Sequence, residues 1–234
     1  MRTATIAITG AEGFLGWHLS CRLAATRGVE PLRLGRADLA DLTSLRSGLA
    51  AVDTIIHVAG VNRAESDDDV ERGNVELADT LAAAIGDRPV HVVYANSIQS
   101  DLDNAYGRGK RRAAEVLRAL PGTFADVVLP NLFGEHGRPA YNSFVSTFCH
   151  EVASGREPVV HEDRQVPLLH AQAAAEALIV AAGRESIGDA SAYDRMHDRI
   201  RGSTLVKHDV AVHNICDEYP DRCVDDLLQF LVKA

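Results

Sequence analysis

Short apolar runs alternate with amphipathic stretches along most of this chain. Each run is apolar at consecutive positions. Strands in a sheet that is covered on both faces show this pattern, so the runs predict buried strands. They lie at residues 3–9, 30–35, 53–60, 89–96 and 125–134. Between them, apolar residues recur at helical spacing, which predicts helices. These cover residues 14–27, a short segment from Asp41, and residues 67–86, 104–120, 141–155 and 171–183.

The regular order of these elements determines the predicted fold. Strands that alternate with helices through short connections predict an α/β fold with a Rossmann-like, doubly wound parallel sheet. We assign residues 1–183 to this nucleotide-binding domain and its catalytic centre. The last part is more polar, with a strand predicted at 209–215 and a helix at 224–234. We assign residues 184–234 to a small C-terminal substrate lobe or tail.

Composition excludes several classes of function. The chain of 234 residues is 46% hydrophobic and 24% charged, as in ordinary globular proteins, and its formal net charge is -9. A nucleic-acid partner is not expected, because phosphate contacts require a basic surface. No apolar run reaches the roughly 18 residues of a membrane span, so no membrane association is expected. The N-terminal apolar stretch is too short for a signal peptide, and we predict a cytoplasmic protein.

The cysteines do not predict a disulfide framework or a metal site. All four are scattered, and none forms a CxxC pair. Four possible ligands do lie close together late in the chain, but their spacing matches no standard zinc pattern. They are His208, His213, Cys216 and Cys223. We therefore predict no metal.

The segment "TGAEGFLG" links the first predicted strand to the first helix. Its glycines are Gly10, Gly13 and Gly16. Gly10 allows a tight turn, Gly13 lets the backbone approach a pyrophosphate, and Gly16 lets the helix pack closely. The helix N-terminus then offers free N–H groups to phosphates. This context predicts a dinucleotide-binding turn.

The end of the second predicted strand bears on the choice of cofactor. An acidic residue there would accept from the ribose 2′-OH of NAD, whereas an arginine would pair with the 2′-phosphate of NADP. Arg36 occupies this position, so NADP(H) is favoured and NAD(H) stays open. Asp38 is a candidate for contact with the adenine side of the pocket.

Tyr106 and Lys110 lie four residues apart at the start of a predicted helix and so share one face. A nearby cation favours the phenolate, so we expect Lys110 to lower the tyrosine pKa. Tyr106 could then donate a proton to a carbonyl that is being reduced. Ser97, at the end of the fourth predicted strand, is the candidate to hold the carbonyl oxygen, with Ser100 as the alternative.

These motifs resemble the extended short-chain dehydrogenase/reductase family, the NAD-dependent epimerase/dehydratase group. The matching parts are "TGAEGFLG", "IIHVAG", Ser97 and the Tyr106–Lys110 pair. The resemblance implies that Ser97 and Tyr106 bind the substrate oxygen, that Tyr106 transfers the proton and that Lys110 also holds the nicotinamide ribose. It further implies cofactor contacts at Phe14, Leu15, Ala59, Gly60 and Pro130.

Three stretches resemble one branch of that family more closely. They are "HVAGVNR", "NSIQSDLDNAYGRGK" and "PNLFGEHGRPAYNSFVSTFCHE". The branch contains the capsular-polysaccharide reductase domains that make a UDP-N-acetyl-L-fucosamine precursor. The resemblance implies NADPH-dependent reduction of a 4-keto sugar nucleotide, and a homodimer formed through helices 67–86 and 104–120. The chain departs from the family pattern at Val128, where arginine is usual, and at "HAQ" (170–172), where "VDD" is usual.

Polar residues near the same predicted sheet edge are candidates for the sugar nucleotide. The resemblance assigns Asn131 to substrate contact, and Arg138 could meet a diphosphate because arginine suits phosphate oxygens. The full set of substrate candidates is Asn62, Arg63, Asn131, His136, Arg138, Tyr141 and Asn142.

Two other functions stay open at this stage. One is a nucleotide-sugar epimerase that keeps NAD bound, against which Arg36 counts mildly. A dehydratase is disfavoured, because Ile98 and Gln99 stand where an acidic pair is usual. The other is a regulatory protein that binds NADP(H) without chemistry.

Overall fold

The computed structural model describes residues 4–26, 28–160 and 163–183. The strand predicted at 209–215, the helix at 224–234, the substrate lobe and the candidate ligands His208, His213, Cys216 and Cys223 all lie outside these residues. Among the described residues, no helix combines the length and apolar character needed to cross a bilayer.

Five parallel strands form the central sheet, which confirms the predicted Rossmann-like α/β class. The strands are β1 (Ala4–Thr9), β2 (Val29–Leu34), β3 (Thr54–His57), β4 (Val90–Ser97) and β5 (Gly122–Leu129). Their order is β2-β1-β3-β4-β5. Strand β2 lies on one side of β1 and β3 on the other. The connections that leave β1 and β3 therefore run in opposite directions and open a crevice at the carboxyl ends of these strands.

Seven helices accompany the strands in the described part of the chain. They are α1 (Phe14–Ala24), α2 (Arg36–Ala40), α3 (Leu42–Leu49), α4 (Asp67–Ile85), α5 (Ala105–Arg118), α6 (Phe144–Ala153) and α7 (Ala171–Ala181). Helices α3, α4 and α5 cover one face of the sheet, and α1 and α7 cover the other. Adjacent strand residues point to opposite faces, so Ile55 joins the first core and Ile56 the second.

The last predicted strand differs from the observed one. Residues 125–134 were expected to form one strand, but β5 ends at Leu129 and a separate strand, β6 (Asn131–Phe133), follows Pro130. Proline has no N–H to donate to a ladder, so the sheet pairing stops there. Strand β6 instead pairs in parallel with β7 (Leu168–His170), a strand that the sequence pattern did not predict.

Two boundaries near the crevice also differ from the predictions. Strand β2 ends at Leu34 and Gly35 caps α2, so Arg36, which was expected just beyond the second strand, is the first residue of a short helix. The helix expected from residue 141 begins at Phe144, because the Ser143 side chain accepts from the Ser146 N–H and caps it there. Residues 134–143 therefore form a loop.

Candidate active site

The glycine turn after β1 is fixed by close backbone contacts. Gly10 has φ +68, and a Cβ there would lie 2.8 Å from the backbone N and Cα of Ala59. A Cβ on Gly16 would lie 2.1 Å from the carbonyl oxygen of Gly10. Both positions therefore require glycine for the chain's own packing. Gly13 is less constrained, since its Cβ would lie 3.3 Å from the Gly10 oxygen, and it caps α1 without a side-chain hydrogen bond.

This uncapped helix end suits a phosphate group. The first-turn N–H groups of α1 have no side-chain partner, and the helix dipole adds positive potential at this point. The α1 N-terminus opens on a large cleft at the carboxyl edge of the sheet. The residues present therefore fit the pyrophosphate of a dinucleotide.

The cleft has a volume of about 1580 Å³. That exceeds the roughly 300–1,000 Å³ of a site for one small ligand and leaves room for a cofactor and a substrate together. It gathers most of the residues singled out from the sequence. These are Gly10, Gly13, Phe14, Leu15, Gly16, Arg36, Ala59, Gly60, Asn62, Ser97, Tyr106, Lys110, Pro130, Asn131, His136, Arg138, Tyr141 and Asn142. Asp38 and Arg63 do not line it.

Ser97 and Tyr106 are brought together by a tight connection between β4 and α5. Ser97 ends β4, and its Oγ accepts the Gln99 N–H at 3.2 Å, which caps a short 3-10 turn over Ile98–Asp101. Helix α5 follows, capped by Asn104. A Cβ on Gly107 would lie 2.1 Å from the Gln99 carbonyl oxygen, so glycine at this position lets α5 pack directly on the turn.

A second glycine sets the depth of the same helix. A Cβ on Gly109 would lie 3.0 Å from the Glu71 backbone, so glycine lets α5 approach α4 closely. Glu71 also accepts from Arg108 at 2.7 Å and from Arg112 at 2.9 Å, which binds the two helices together. The glycines around Tyr106 and Lys110 are therefore explained by helix packing.

Lys110 is buried at the floor of the cleft. Its Nζ donates to the Ala95 carbonyl at 2.5 Å and lies 4.0 Å from the centre of the Tyr94 ring. Burial lowers the pKa of Lys110 to about 7, while Asp126 acts in the opposite direction. Loss of hydration therefore destabilises the charged form of the Lys110 side chain.

The prediction of a lowered Tyr106 pKa is wrong for the protein alone. The sequence predicted a lowered tyrosine pKa, whereas burial raises the pKa of Tyr106 and interaction with the Ser97 side chain lowers it only in part. The physical reason is that desolvation of the phenolate outweighs the nearby hydroxyl. Tyr106 therefore keeps its proton at neutral pH.

Two opposite charges lie at the end of the cleft beside β2. Arg36 is exposed at the start of α2. The Glu12 carboxylate lies against Gly35, where an added Cβ would be 2.6 Å from its carboxyl carbon. Asp38 instead accepts the Gly35 N–H at 2.7 Å and caps α2, so its contact with adenine stays a prediction. Sequence reasoning missed Glu12, although an acidic residue inside the glycine motif was a visible signal.

The loop 134–143 lines the opposite end of the cleft and is held there by Arg63. The Arg63 Nε donates to Asn142 Oδ1 at 3.0 Å, and a second guanidinium nitrogen donates to the Tyr141 carbonyl. The guanidinium also lies 5.1 Å from the centre of the Tyr141 ring, and that of Arg138 lies 5.3 Å from it. Arg63, predicted to touch substrate, therefore contacts the substrate loop.

The other end of this loop is anchored on α1 and α7. His18 is 1% exposed, and its Nε2 donates to the Glu135 carbonyl at 3.0 Å, while Nδ1 accepts from the Gln172 amide at 3.0 Å. His170 lies 3.4 Å from the Glu135 carboxylate. Thus His170 and Gln172, which belong to the "HAQ" departure from the family pattern, help to fix the loop.

Trp17 and Gln99 also line the cleft and were not identified from the sequence. The Trp17 ring lies 4.6 Å from that of His136, a loop residue with φ 64. The Trp17 side chain is 40% exposed, and the sequence carried no signal for its place in the cleft. Within the described ranges, no group of three or more His, Cys, Asp or Glu side chains could hold a metal ion.

Comparison with known proteins finds similarity over most of this chain. A profile of the NAD dependent epimerase/dehydratase family matches residues 6–193. The chain is 39% identical over 153 residues to a UDP-2-acetamido-2,6-beta-L-arabino-hexul-4-ose reductase of Pseudomonas aeruginosa, covering 63% of this chain and 41% of that protein. It is 28% identical over 194 residues to a ceramide reductase of Caulobacter vibrioides, covering 74% of this chain and 59% of that protein.

A solved structure shows the same architecture. The capsular polysaccharide assembling protein CapF from Staphylococcus aureus superposes with a TM-score of 0.61 at 29% identity, covering 76% of this chain and 49% of that one. The chain therefore spans less than half the length of CapF and of the Pseudomonas reductase.

Proposed function

We propose that this chain is an oxidoreductase of the short-chain type, because it belongs to the NAD dependent epimerase/dehydratase family. It reduces the keto group of a nucleotide-linked 4-keto sugar with NADPH. One observation carries this proposal: Ser97, Tyr106 and Lys110 meet in the same cleft as the uncapped N-terminus of α1.

The chemistry follows from where these side chains lie. A bound NADPH would supply a hydride to the carbonyl carbon. The Ser97 and Tyr106 hydroxyls hold the carbonyl oxygen, and Tyr106 gives it a proton, so the ketone becomes an alcohol. Because burial raises the Tyr106 pKa, the phenol carries the proton that this step needs. Lys110 lies one helical turn further along α5, where it can contact the cofactor ribose.

The substrate end of the cleft favours a sugar nucleotide over a lipid. Its lining includes exposed polar side chains, among them Asn62, Arg138 and Asn142. Arg138 can pair with a diphosphate, because a guanidinium matches phosphate oxygens geometrically. A ceramide offers no such group. The 4-keto sugar in the name of the Pseudomonas reductase is therefore the better guide, and a role in polysaccharide biosynthesis follows from it.

The test measures NADPH oxidation with a UDP- or dTDP-4-keto-6-deoxy sugar made in situ by a 4,6-dehydratase. We expect Tyr106→Phe to lower kcat by about 10²–10⁴-fold, the usual contribution of a general acid. Ser97→Ala is expected to lower it as well. Ser100→Ala is the matched control, since Ser100 lines a separate small pocket, and it is expected to keep near-normal turnover.

Each other outcome identifies a different function. If the sugar is isomerised without net NADPH consumption, the chain is an epimerase. If NADPH binds but no substrate turns over, the chain is a binding protein, and the reductase proposal is wrong. Activity with Tyr106→Phe equal to that of the unmodified chain would exclude Tyr106 as the proton donor.

Four further assignments complete the proposal, and of these the homodimer rests on the family resemblance. We propose that NADP(H) is preferred to NAD(H), supported by Arg36 at the cleft. A homodimer through α4 and α5 is proposed, and light scattering of the purified protein tests it. The cytoplasmic location and the division into residues 1–183 and 184–234 stay predictions.

A further inference from the structure

Lys110 has an unusual set of partners for a buried ammonium group. It is 3% exposed, and its Nζ meets the Ala95 carbonyl and the face of Tyr94. In the described part of the chain, no carboxylate forms an ion pair with it. Buried charges normally have a counter-ion, because desolvation costs several kcal/mol. Here an aromatic face occupies that place.

The Tyr94 ring is itself held rigidly. Tyr94 is 1% exposed, its hydroxyl donates to the Lys110 carbonyl at 3.4 Å, and its ring stacks on His57 with centres 5.7 Å apart. His57 Nδ1 lies 2.8 Å from the Thr9 hydroxyl, which also accepts the Ala59 N–H at 3.3 Å. A continuous column of buried contacts therefore connects Lys110 to the backbone beside the glycine turn.

This column is electrically neutral around physiological pH. Burial and the Lys110 charge lower the pKa of His57 to about 3, so its imidazole is neutral. Burial raises the pKa of Tyr94, so its hydroxyl stays protonated. Two other ionisable groups lie near this contact: Asp126 on β5, which acts on Lys110 and is paired with Arg118 at 3.1 Å, and Tyr106 on α5, which acts on Tyr94. Apart from the Ala95 carbonyl oxygen that accepts from Nζ, the Tyr94 ring face is therefore the group of negative potential in contact with the ammonium.

We infer that Tyr94 is a positioning residue for Lys110: the face of the Tyr94 ring holds and stabilises the ammonium at the cleft floor before a cofactor binds. A ring quadrupole attracts a cation lying over its face, and desolvation strengthens this attraction. The hydroxyl fixes the ring but is not the source of the attraction. The functional consequence rests on the proposed reductase activity, whereas the contact itself does not.

The test varies the ring electronics without changing its shape. Position 94 is replaced by phenylalanine, 4-fluorophenylalanine and 3,4,5-trifluorophenylalanine, which progressively weaken the quadrupole. The chain has three lysines, Lys110, Lys207 and Lys233, so lysine labelled with carbon-13 at Cε gives a simple spectrum. Lys110→Met assigns the Lys110 signal, and its pH titration gives the pKa in each variant.

We expect Tyr94→Phe to change the Lys110 pKa little and trifluorination to lower it by about 0.4–1.5, which corresponds to the strength of a cation–π contact. The sign follows because a weaker ring destabilises the charged lysine. The kcat/KM for NADPH should then fall by about 2.5–30-fold at pH 8 and change little at pH 5 and below, since it reports the free enzyme. Fluorination of Phe124, whose ring lies 5.1 Å from Arg118, is the matched control.

A Lys110 pKa that does not follow the fluorine series overturns the inference. So does a shift in Tyr94→Phe as large as that caused by trifluorination, because the hydroxyl would then be responsible. The titration needs no turnover, so it decides the contact even if the proposed activity fails. Conversely, a substrate that turns over with a normal Tyr106→Phe defect confirms the activity whatever the ring series shows.

Discussion

The floor and the rim of the cleft are built in different ways. We use floor for Ser97, Tyr106, Lys110 and Tyr94, and rim for Glu12, Arg36 and the loop 134–143. The floor is packed by backbone contacts, and Tyr94 and Lys110 are almost fully buried. The rim is largely exposed, and the contacts described for its loop are made by long or polar side chains.

This difference suggests that the floor carries out the reaction and that the rim selects the ligand. Groups that transfer protons must be held to a fraction of an ångström, and backbone packing can do this. Groups that select a ligand can reach it from flexible surfaces, where side-chain contacts are weak and adjustable. We therefore expect a change in the floor to lower turnover and a change in the rim to alter affinity.

Among the changes that test this difference between floor and rim, the largest effect is expected from Gly107→Ala. Its Cβ would lie 2.1 Å from the Gln99 carbonyl oxygen and 2.6 Å from that of Leu102, so the first turn of α5 must move. Tyr106 is the adjacent residue. A displacement of about 1 Å lowers turnover by about 10²-fold, and we expect this loss in kcat/KM together with a lower melting temperature.

Gly48→Ala is the matched control for this change. Gly48 lies in α3, and nothing lies within 4 Å of its added Cβ. Alanine there should leave turnover unchanged and raise stability by up to about 1 kcal/mol, because alanine favours a helix. Normal turnover in Gly107→Ala would show that the placement of Tyr106 does not depend on this packing.

The difference between floor and rim also explains which parts of the fold and of the site the sequence predicted. The parallel sheet, the glycine turn and the grouping of Ser97, Tyr106 and Lys110 followed from period and spacing, which depend on backbone geometry. The β6–β7 pair did not, since three-residue strands carry almost no periodic signal. Nor did Tyr94, Glu12 or Arg63 reveal their contacts, because these depend on how distant segments meet.

At the rim, Arg63→Met tests the loop contact. It removes the hydrogen bonds to Tyr141 and Asn142 while keeping the length of the side chain. Exposed charged contacts of this kind contribute about 1 kcal/mol, so the KM for the sugar nucleotide should rise by about 5–10-fold. The kcat and the Kd for NADPH should stay within about 3-fold, as the floor is untouched.

Combination with Asn142→Ala shows whether the two residues act together. If Arg63 acts through the loop, the double variant should be no worse than Arg63→Met alone. Fully additive losses would indicate independent contacts with the substrate and would remove the loop-holding role. Arg156→Met, which breaks an exposed pair with Glu151 away from the cleft, is the control for loss of an arginine.

The smallest expected effect concerns the two charges at the other end of the rim. Arg36 should attract the 2′-phosphate of NADP, whereas the Glu12 carboxylate beside Gly35 should repel it. Glu12→Gln should therefore raise the affinity for NADPH relative to NADH by about 5-fold, or about 1 kcal/mol at a solvated surface, with less effect at high salt.

Glu30→Gln makes the same charge change near the far end of β2 and should leave the ratio unaltered. If Glu12→Gln changed the affinities for NADPH and NADH equally, Glu12 would support the glycine turn and would not discriminate between the two cofactors. Arg36 would then be the charge that sets the preference.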